Sequence, residues 1–133
     1  MKKTALALLI AAVATGSGFA QTLHAKDFVK QLHFAPGKNS AVASNDIVRD
    51  DADIYFIRAK AGQVMTINVT SLEDNAAIDV SEPKVRGSKE AKNISGGSDL
   101  TKWSGTLAKT GDYKIEVSGT RGNTSYKLQV TVK

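Results

Sequence analysis

The chain has no cysteine, so no disulfide staples it, no thiol serves as a nucleophile, and no thiolate metal site exists. Histidine is nearly as scarce. Only His24 and His33 occur in 133 residues, which gives zinc almost no ligand set and limits the choice of a base in a serine-histidine-acid arrangement. His24 sits near the start of the chain, and His33, between Leu32 and Phe34, reads as an ordinary strand residue. No Gly-x-Ser-x-Gly elbow is present. Asp50-Asp51-Ala52-Asp53 is the densest group of oxygen donors, but it lacks the glycine and the distal glutamate of a calcium loop and reads as a solvated acidic turn. A glycosidase would need two carboxylates facing each other across a sugar, and the 13 acidic residues fall in no such frame. These absences exclude most catalytic chemistry, imply no cofactor and no metal, and favour a non-enzymatic binding module.

Long hydrophobic runs are also missing after the first 20 residues. Met1-Lys2-Lys3, the apolar stretch Thr4 to Val13, and Gly18 and Ala20 have the layout of a cleaved secretory signal, with small residues at positions −3 and −1 of the cut. The apolar stretch is shorter than the ~20 residues that span a bilayer. The reading is therefore a signal peptide over residues 1–20, a single domain over residues 21–133, export from the cytoplasm and no membrane anchor. Without Lys2 and Lys3 the basic residues fall from 18 to 16 against 13 acidic ones, a net charge of +3. The basic residues are scattered among acids, not gathered in a stripe, so no nucleic-acid partner is implied.

What the chain does contain is period-2 alternation. Tyr126, Leu128, Val130 and Val132 fall on one side of a strand, with Lys127, Gln129, Thr131 and Lys133 on the other. Tyr113, Ile115 and Val117 repeat the pattern, and Gly119 to Asn123 forms a turn that predicts an antiparallel hairpin between the two segments. Ile54 to Arg58 and Val64 to Thr70, around Gly62, predict a second hairpin. Weaker strand candidates are Phe28 to Phe34, Ser40 to Ala43, Ala76 to Val80 and Leu100 to Leu107, and Ser81 to Ser98 reads as an irregular surface loop. The expected fold is all-β, an antiparallel sandwich of about seven or eight short strands, with a small barrel as the alternative. Exposed sheet edges make a homodimer conceivable, though no apolar patch requires one.

Two stretches resemble a known architecture. Asp53 to Gln63, with the Ala59-Lys60-Ala61-Gly62-Gln63 turn, and Leu107 to Val117, closing with Tyr126 to Val130, resemble the two halves of the pre-peptidase C-terminal type of β-sandwich. Among exported single-domain proteins the chain is similar to the periplasmic lysozyme inhibitors of Gram-negative bacteria, those directed at invertebrate-type lysozyme first and at goose-type next. The resemblance implies a lysozyme partner and a role in evading host defence. Those families carry a Ser-Gly-x-Tyr loop that enters the lysozyme cleft, and Thr110-Gly111-Asp112-Tyr113 aligns with it, threonine replacing serine. The expectation is that a hydroxyl and a phenol on this loop bond to the cleft carboxylates, while Arg121 adds a charged contact from the same end of the sandwich. Tyr113 also shares a side with Ile115 and Val117, which gives it a core role as the competing reading. The rival function is a carbohydrate- or envelope-binding sandwich in which Trp103 stacks on sugar. One tension stands: many lysozymes are basic, and a net charge of +3 gives no long-range attraction to a basic target.

Overall fold

The computed structural model describes residues 28–94 and 96–133; the signal segment and His24 lie outside the described residues. Eight strands follow one another: β1 (Phe28–Leu32), β2 (Ser40–Ile47), β3 (Ala52–Ala59), β4 (Val64–Ser71), β5 (Ala76–Ser81), β6 (Lys102–Thr106), β7 (Gly111–Gly119) and β8 (Thr124–Val132). They form two four-stranded sheets, ordered β1-β3-β7-β5 and β2-β8-β4-β6. The molecule is thus an all-β sandwich, not a barrel. The ladders are antiparallel except for β1, which pairs parallel to β3 through Phe28↔Asp53 to Leu32↔Ile57.

The alternation in the sequence becomes the core directly. Tyr113, Ile115 and Val117 of β7 face Tyr126, Leu128, Val130 and Val132 of β8 across the sandwich, with Tyr55, Ile57, Met65, Ile67, Ile78 and Val80 completing the interior. Each large aliphatic side chain buried this way contributes roughly 1.5–3 kcal/mol.

The pairing, however, is not the one the turns predict. Odd-numbered strands make one sheet and even-numbered strands the other, so β7 and β8 do not pair, and neither do β3 and β4. β7 lies between β3 and β5, and β8 between β2 and β4. Both expected hairpins are arches that cross from sheet to sheet. Two strands flanking a turn can bury their apolar sides face to face as well as lie edge to edge, and a turn such as Gly119 to Asn123 serves either geometry. The long segment after β5 has a structural task. It returns along the free edge of β5, where Ile78 N bonds Leu100 O at 2.7 Å, Val80 N bonds Gly97 O at 2.7 Å and Ile94 N bonds Val80 O at 2.9 Å. An otherwise unpaired sheet edge is thereby satisfied and covered.

Candidate functional site

The strands run the length of the sandwich, so the connections gather at its two ends. β7 separates the two groups of candidate residues: Thr110 precedes Gly111, its first residue, and Arg121 follows Gly119, its last. The nine residues of this strand span eight steps of ~3.3 Å, so about 26 Å of strand lies between them. The structure therefore does not bring Arg121 to the end where the Thr110 loop lies, contrary to the sequence-based expectation.

The loop itself is built by its own polar groups. Tyr113 is 1% exposed, and its hydroxyl donates to Lys109 O at 2.6 Å and accepts from Lys109 N at 3.1 Å. It satisfies both backbone groups of a residue four positions upstream, as a tyrosine corner does. The phenol expected in a partner's cleft is thus in the core, where the alternation with Ile115 and Val117 puts it. Thr110 Oγ1 accepts from Ala61 N at 3.0 Å, tying this loop to the β3–β4 turn. Gly111 is required by contact: its φ is +152°, and a Cβ there would sit 2.8 Å from the Cβ of Pro83. Asp112 points outward beside Arg58 at 3.5 Å, both side chains largely in solvent, a pair worth little. Three of the four residues of the motif thus serve the loop's architecture.

The Arg121 end is differently organised. Three connections meet there: residues 48–51, the short 3-10 turn Leu72–Asp74 with Asn75, and residues 120–123. Two asparagines stitch them together. Asn123 Oδ1 accepts from Arg49 N at 2.6 Å. The Asn75 amide donates to Arg121 O and to Asn123 O, both at 3.3 Å, while Asn75 O and Oδ1 accept from Thr120 N and Thr120 Oγ1, both at 2.9 Å. Arg121 itself donates to Glu73 O at 3.0 Å, with the Glu73 carboxylate at 3.9 Å.

Strain accompanies this platform. Glu73 and Asp74 are consecutive non-glycine residues in the left-handed region, at φ 56° and 52°, and Asp50 joins them at 70°. Such conformations cost of order 1–3 kcal/mol each and persist where neighbours over-determine them, often at functional sites. The strained turn holds Leu72 out, 81% exposed, with Val48 exposed nearby. Sequence reasoning missed Leu72, Arg49 and the asparagine ties. A leucine before three polar residues is an unremarkable turn in one dimension.

Beneath this end lies a buried polar chain joining the sheets. Asp53, 4% exposed, accepts at Oδ2 from the Tyr126 hydroxyl at 2.5 Å and from the Asn45 amide at 2.8 Å. The Tyr55 and Tyr126 hydroxyls are 2.5 Å apart. Because the Tyr126 proton is committed to Asp53, Tyr55 donates to Tyr126. Burial first, then the bonds and the Asp53 charge, push the Tyr126 phenol well above its ordinary range, and burial raises that of Tyr55. The acidic run is thus not wholly a solvated turn: Asp50 is exposed and Asp51 half-buried, but Asp53 belongs to the interior.

The two ends also differ in charge. The concavities at the Arg121 end are lined by Asp46, Asp50, Asp51, Glu73 and Glu116 against Arg49 and Arg121. Those at the Thr110 end are lined by Lys38, Arg58, Lys60, Lys84, Lys89 and Lys114 against Glu90 and Asp112. The modest net charge conceals a molecule with an acidic end and a basic one. Trp103 lies at neither. It sits on β6 opposite Ile67, half-buried against the core, and its Cζ2 is 2.8 Å from where a Cβ of Gly105 would be. Its ring lies along its own strand over Gly105. Among the described residues no three histidine, aspartate or glutamate side chains come together as a metal site.

No protein-family model matches the sequence, and no curated protein sequence matches it. Solved structures do. Aeromonas hydrophila PliG, a periplasmic lysozyme inhibitor of g-type lysozyme, is 26% identical with a TM-score of 0.65, over 81% of this chain and 98% of that one. Salmonella Typhimurium PliG, also an inhibitor of g-type lysozyme, is 21% identical with a TM-score of 0.60, over 80% of this chain and 98% of that one. The pre-peptidase C-terminal domain of a Bacillus anthracis collagenase is 16% identical with a TM-score of 0.51, over 84% of this chain and 100% of that one. The last two likenesses speak to the fold, which is therefore shared by an inhibitor and by a domain of a collagenase.

Proposed function

We propose that the chain is a periplasmic, non-enzymatic inhibitor of g-type lysozyme, exported through its first 20 residues, and that it engages the enzyme with its Arg121 end. The observation that carries the function is the 26% identity to Aeromonas hydrophila PliG across four fifths of the chain. The order of targets drawn from the sequence is reversed in this reading: goose-type lysozyme stands first and the preference for the invertebrate type is withdrawn, because the 26% identical Aeromonas hydrophila protein is an inhibitor of g-type lysozyme.

Geometry supports the choice of end. On the Thr110 loop the phenol is buried, and the threonine hydroxyl accepts from Ala61 N, a tie that fixes the loop and leaves only its own proton to offer a partner. Arg121 is exposed, and in the free protein its guanidinium holds a backbone carbonyl and one loose carboxylate contact, so a better partner displaces these at small cost. Lysozyme chemistry depends on a carboxylic acid that must be protonated to release the leaving group. A guanidinium laid bidentately on that group stabilises its ionised form and removes the acid, while occupying the sugar's place. Leu72 supplies an apolar anchor worth ~1.5–3 kcal/mol once buried. Because the three connections are already tied together, little ordering entropy is lost on docking. The acidic surround resolves the charge tension. A basic lysozyme is attracted to this end despite the positive net charge of the inhibitor.

The test is a cell-wall lysis assay in which residues 21–133 are titrated against goose-, invertebrate- and chicken-type lysozymes. Saturable inhibition of the goose type is expected. Arg121→Ala should weaken it at least tenfold, a loss of ~1.4 kcal/mol or more, Leu72→Ser should weaken it several-fold, and Asp112→Ala at the other end should leave it intact. Full inhibition by Arg121→Ala together with relief by Asp112→Ala would return the inhibitory surface to the Thr110 to Tyr113 segment. Absence of inhibition of all three lysozymes would refute the function itself.

A further inference from the structure

An open groove of about 810 Å³ runs over the outer face of the β1-β3-β7-β5 sheet, beneath the loop that follows β5. The Arg121 surface does not use it, and Thr110, Gly111 and Asp112 line one side of it. Its floor includes Phe56, which occupies an outward position of β3 between Ile54 and Arg58 and is half-buried. Its far wall is Pro83 and Ala91; Arg58, Lys84, Lys89 and Lys114 bring positive charge, and Gln31, Glu90 and Asp112 bring acceptors.

The walls are fixed. Pro83 abuts Gly111 so closely that no side chain fits there. The stem of the loop is held by Ser81 Oγ donating to Asn93 Oδ1 at 2.8 Å, by Glu82 N donating to Lys92 O at 2.8 Å, and by Lys109 Nζ on Glu82 Oε1 at 3.0 Å. Ser88 Oγ donates to Glu90 O at 2.9 Å and shapes the tip. The cations, by contrast, are loosely engaged. Arg58 lies 3.5 Å from Asp112, Lys114 lies 3.7 Å from Glu116, and Lys84 reaches the Lys89 carbonyl at 3.3 Å, all in solvent contact. Exposed pairs of this kind contribute ~0–1 kcal/mol and yield to a better anion.

We propose that this groove is a binding site for an acidic oligosaccharide, a short glycan bearing carboxylate or phosphate groups. Three features converge on that class. An aromatic floor with a proline wall takes the apolar C–H face of a sugar ring. Ammonium and guanidinium groups along the rim take its acid groups. Carboxylates and an amide set among those cations accept from its hydroxyls. A bare phosphate would leave Phe56 and the acceptors unused. An anionic bilayer would need the cations on a convex surface, whereas here they flank a recess. The inference does not rest on the inhibitory reading, because the groove is at the opposite end of the sandwich from Arg121.

The experiment follows backbone amide shifts of the ¹⁵N-labelled protein at low salt. The probes are a tetrasaccharide of alternating glucuronate and N-acetylglucosamine, a phosphorylated tetrasaccharide, neutral chitotetraose and inorganic phosphate. Saturable shifts are expected at Arg58, at residues 84–91 and at residues 111–114, with one or both acidic glycans, and the stronger of the two identifies the acid group. Chitotetraose and phosphate should each bind at least tenfold more weakly. Lys84→Gln/Lys89→Gln should weaken the acidic glycan at least tenfold and Phe56→Leu several-fold. The double lysine variant should inhibit lysozyme as the unaltered protein does, so the two readings fail separately. The proposal is overturned by an absence of shifts at millimolar glycan, by shifts confined to the Arg121 end, by equal binding of phosphate or chitotetraose, or by a folded Phe56→Leu protein of unchanged affinity.

Discussion

The chain Tyr55–Tyr126–Asp53–Asn45 allows a stability prediction whose sign changes with background. Replacing Tyr126 by Phe removes the hydroxyl that donates to the buried Asp53 carboxylate at 2.5 Å and accepts from Tyr55. A hydrogen bond to a charged acceptor is worth ~1.5–3 kcal/mol, and a buried donor left without a partner costs a further ~1–3 kcal/mol. Tyr126→Phe should therefore destabilise the protein by ~3–5 kcal/mol and lower its Tm by more than about 12 °C, at roughly 4 °C per kcal/mol. Tyr55→Phe in the unaltered protein removes only a donor to a hydroxyl that keeps its bond to Asp53, and should cost ~0.5–1.5 kcal/mol. In the Tyr126→Phe background the Tyr55 hydroxyl is an orphan, and deleting it should restore ~1 kcal/mol. The double-mutant cycle, measured by urea unfolding at constant m-value, thus has a coupling of opposite sign to simple accumulation of damage. Additive losses, or a Tyr126→Phe cost below 1 kcal/mol, would mean that the hydroxyls do not form the chain described.

Three further expectations can be checked on the same protein. Tyr55 and Tyr126 have folded pKa values raised above the ordinary 10.0, so their contribution is intact below pH 10 and is lost as pH rises, because the unfolded chain ionises first. Urea unfolding above pH 10 should show stability falling by up to ~1.4 kcal/mol per pH unit for each tyrosine, a slope that the double Phe variant lacks. Gly111→Ala places a Cβ 2.8 Å from Pro83 and should cost ~1–3 kcal/mol in thermal unfolding, since a proline ring yields little. Gly105→Ala drives a Cβ to 2.8 Å from the Trp103 ring; displacing the only tryptophan should shift its emission to the red, and unchanged emission would contradict the ring's position over Gly105.

Which residues face the core was legible from alternation alone, because the period of a strand is two whatever its neighbours are. Tyr113, Leu128 and Val130 went where the pattern put them. Which strand lies beside which was not legible, since the same alternation and the same Gly119 to Asn123 turn suit an edge-to-edge hairpin and a face-to-face arch alike. The site suffered from distance along the chain. Thr110 shows no structural task until Ala61, 49 residues away, is seen to donate its N–H to the threonine oxygen, and Asp53 reads as surface until Tyr126, 73 residues away, covers it. Arg121 was identified by type, but its end of the molecule depends on the strand order, and Leu72 gave no signal of its own.

The strict alternation of successive strands between sheets also governs how the molecule comes together. Among the described residues no ladder joins chain neighbours; even β1 and β3 meet with β2 between them, and β2 must find β8, with Ser40 bonding Thr131 across 91 residues. Every pairing therefore requires closing a long loop before any reward arrives, which sets folding in the slow, millisecond-to-second regime of high contact order. The last strand is central in its sheet, flanked by β2 and β4. A chain still emerging from its N-terminus holds two strands with no partner between them, so the even-numbered sheet closes in a single late step, when β8 slots into place.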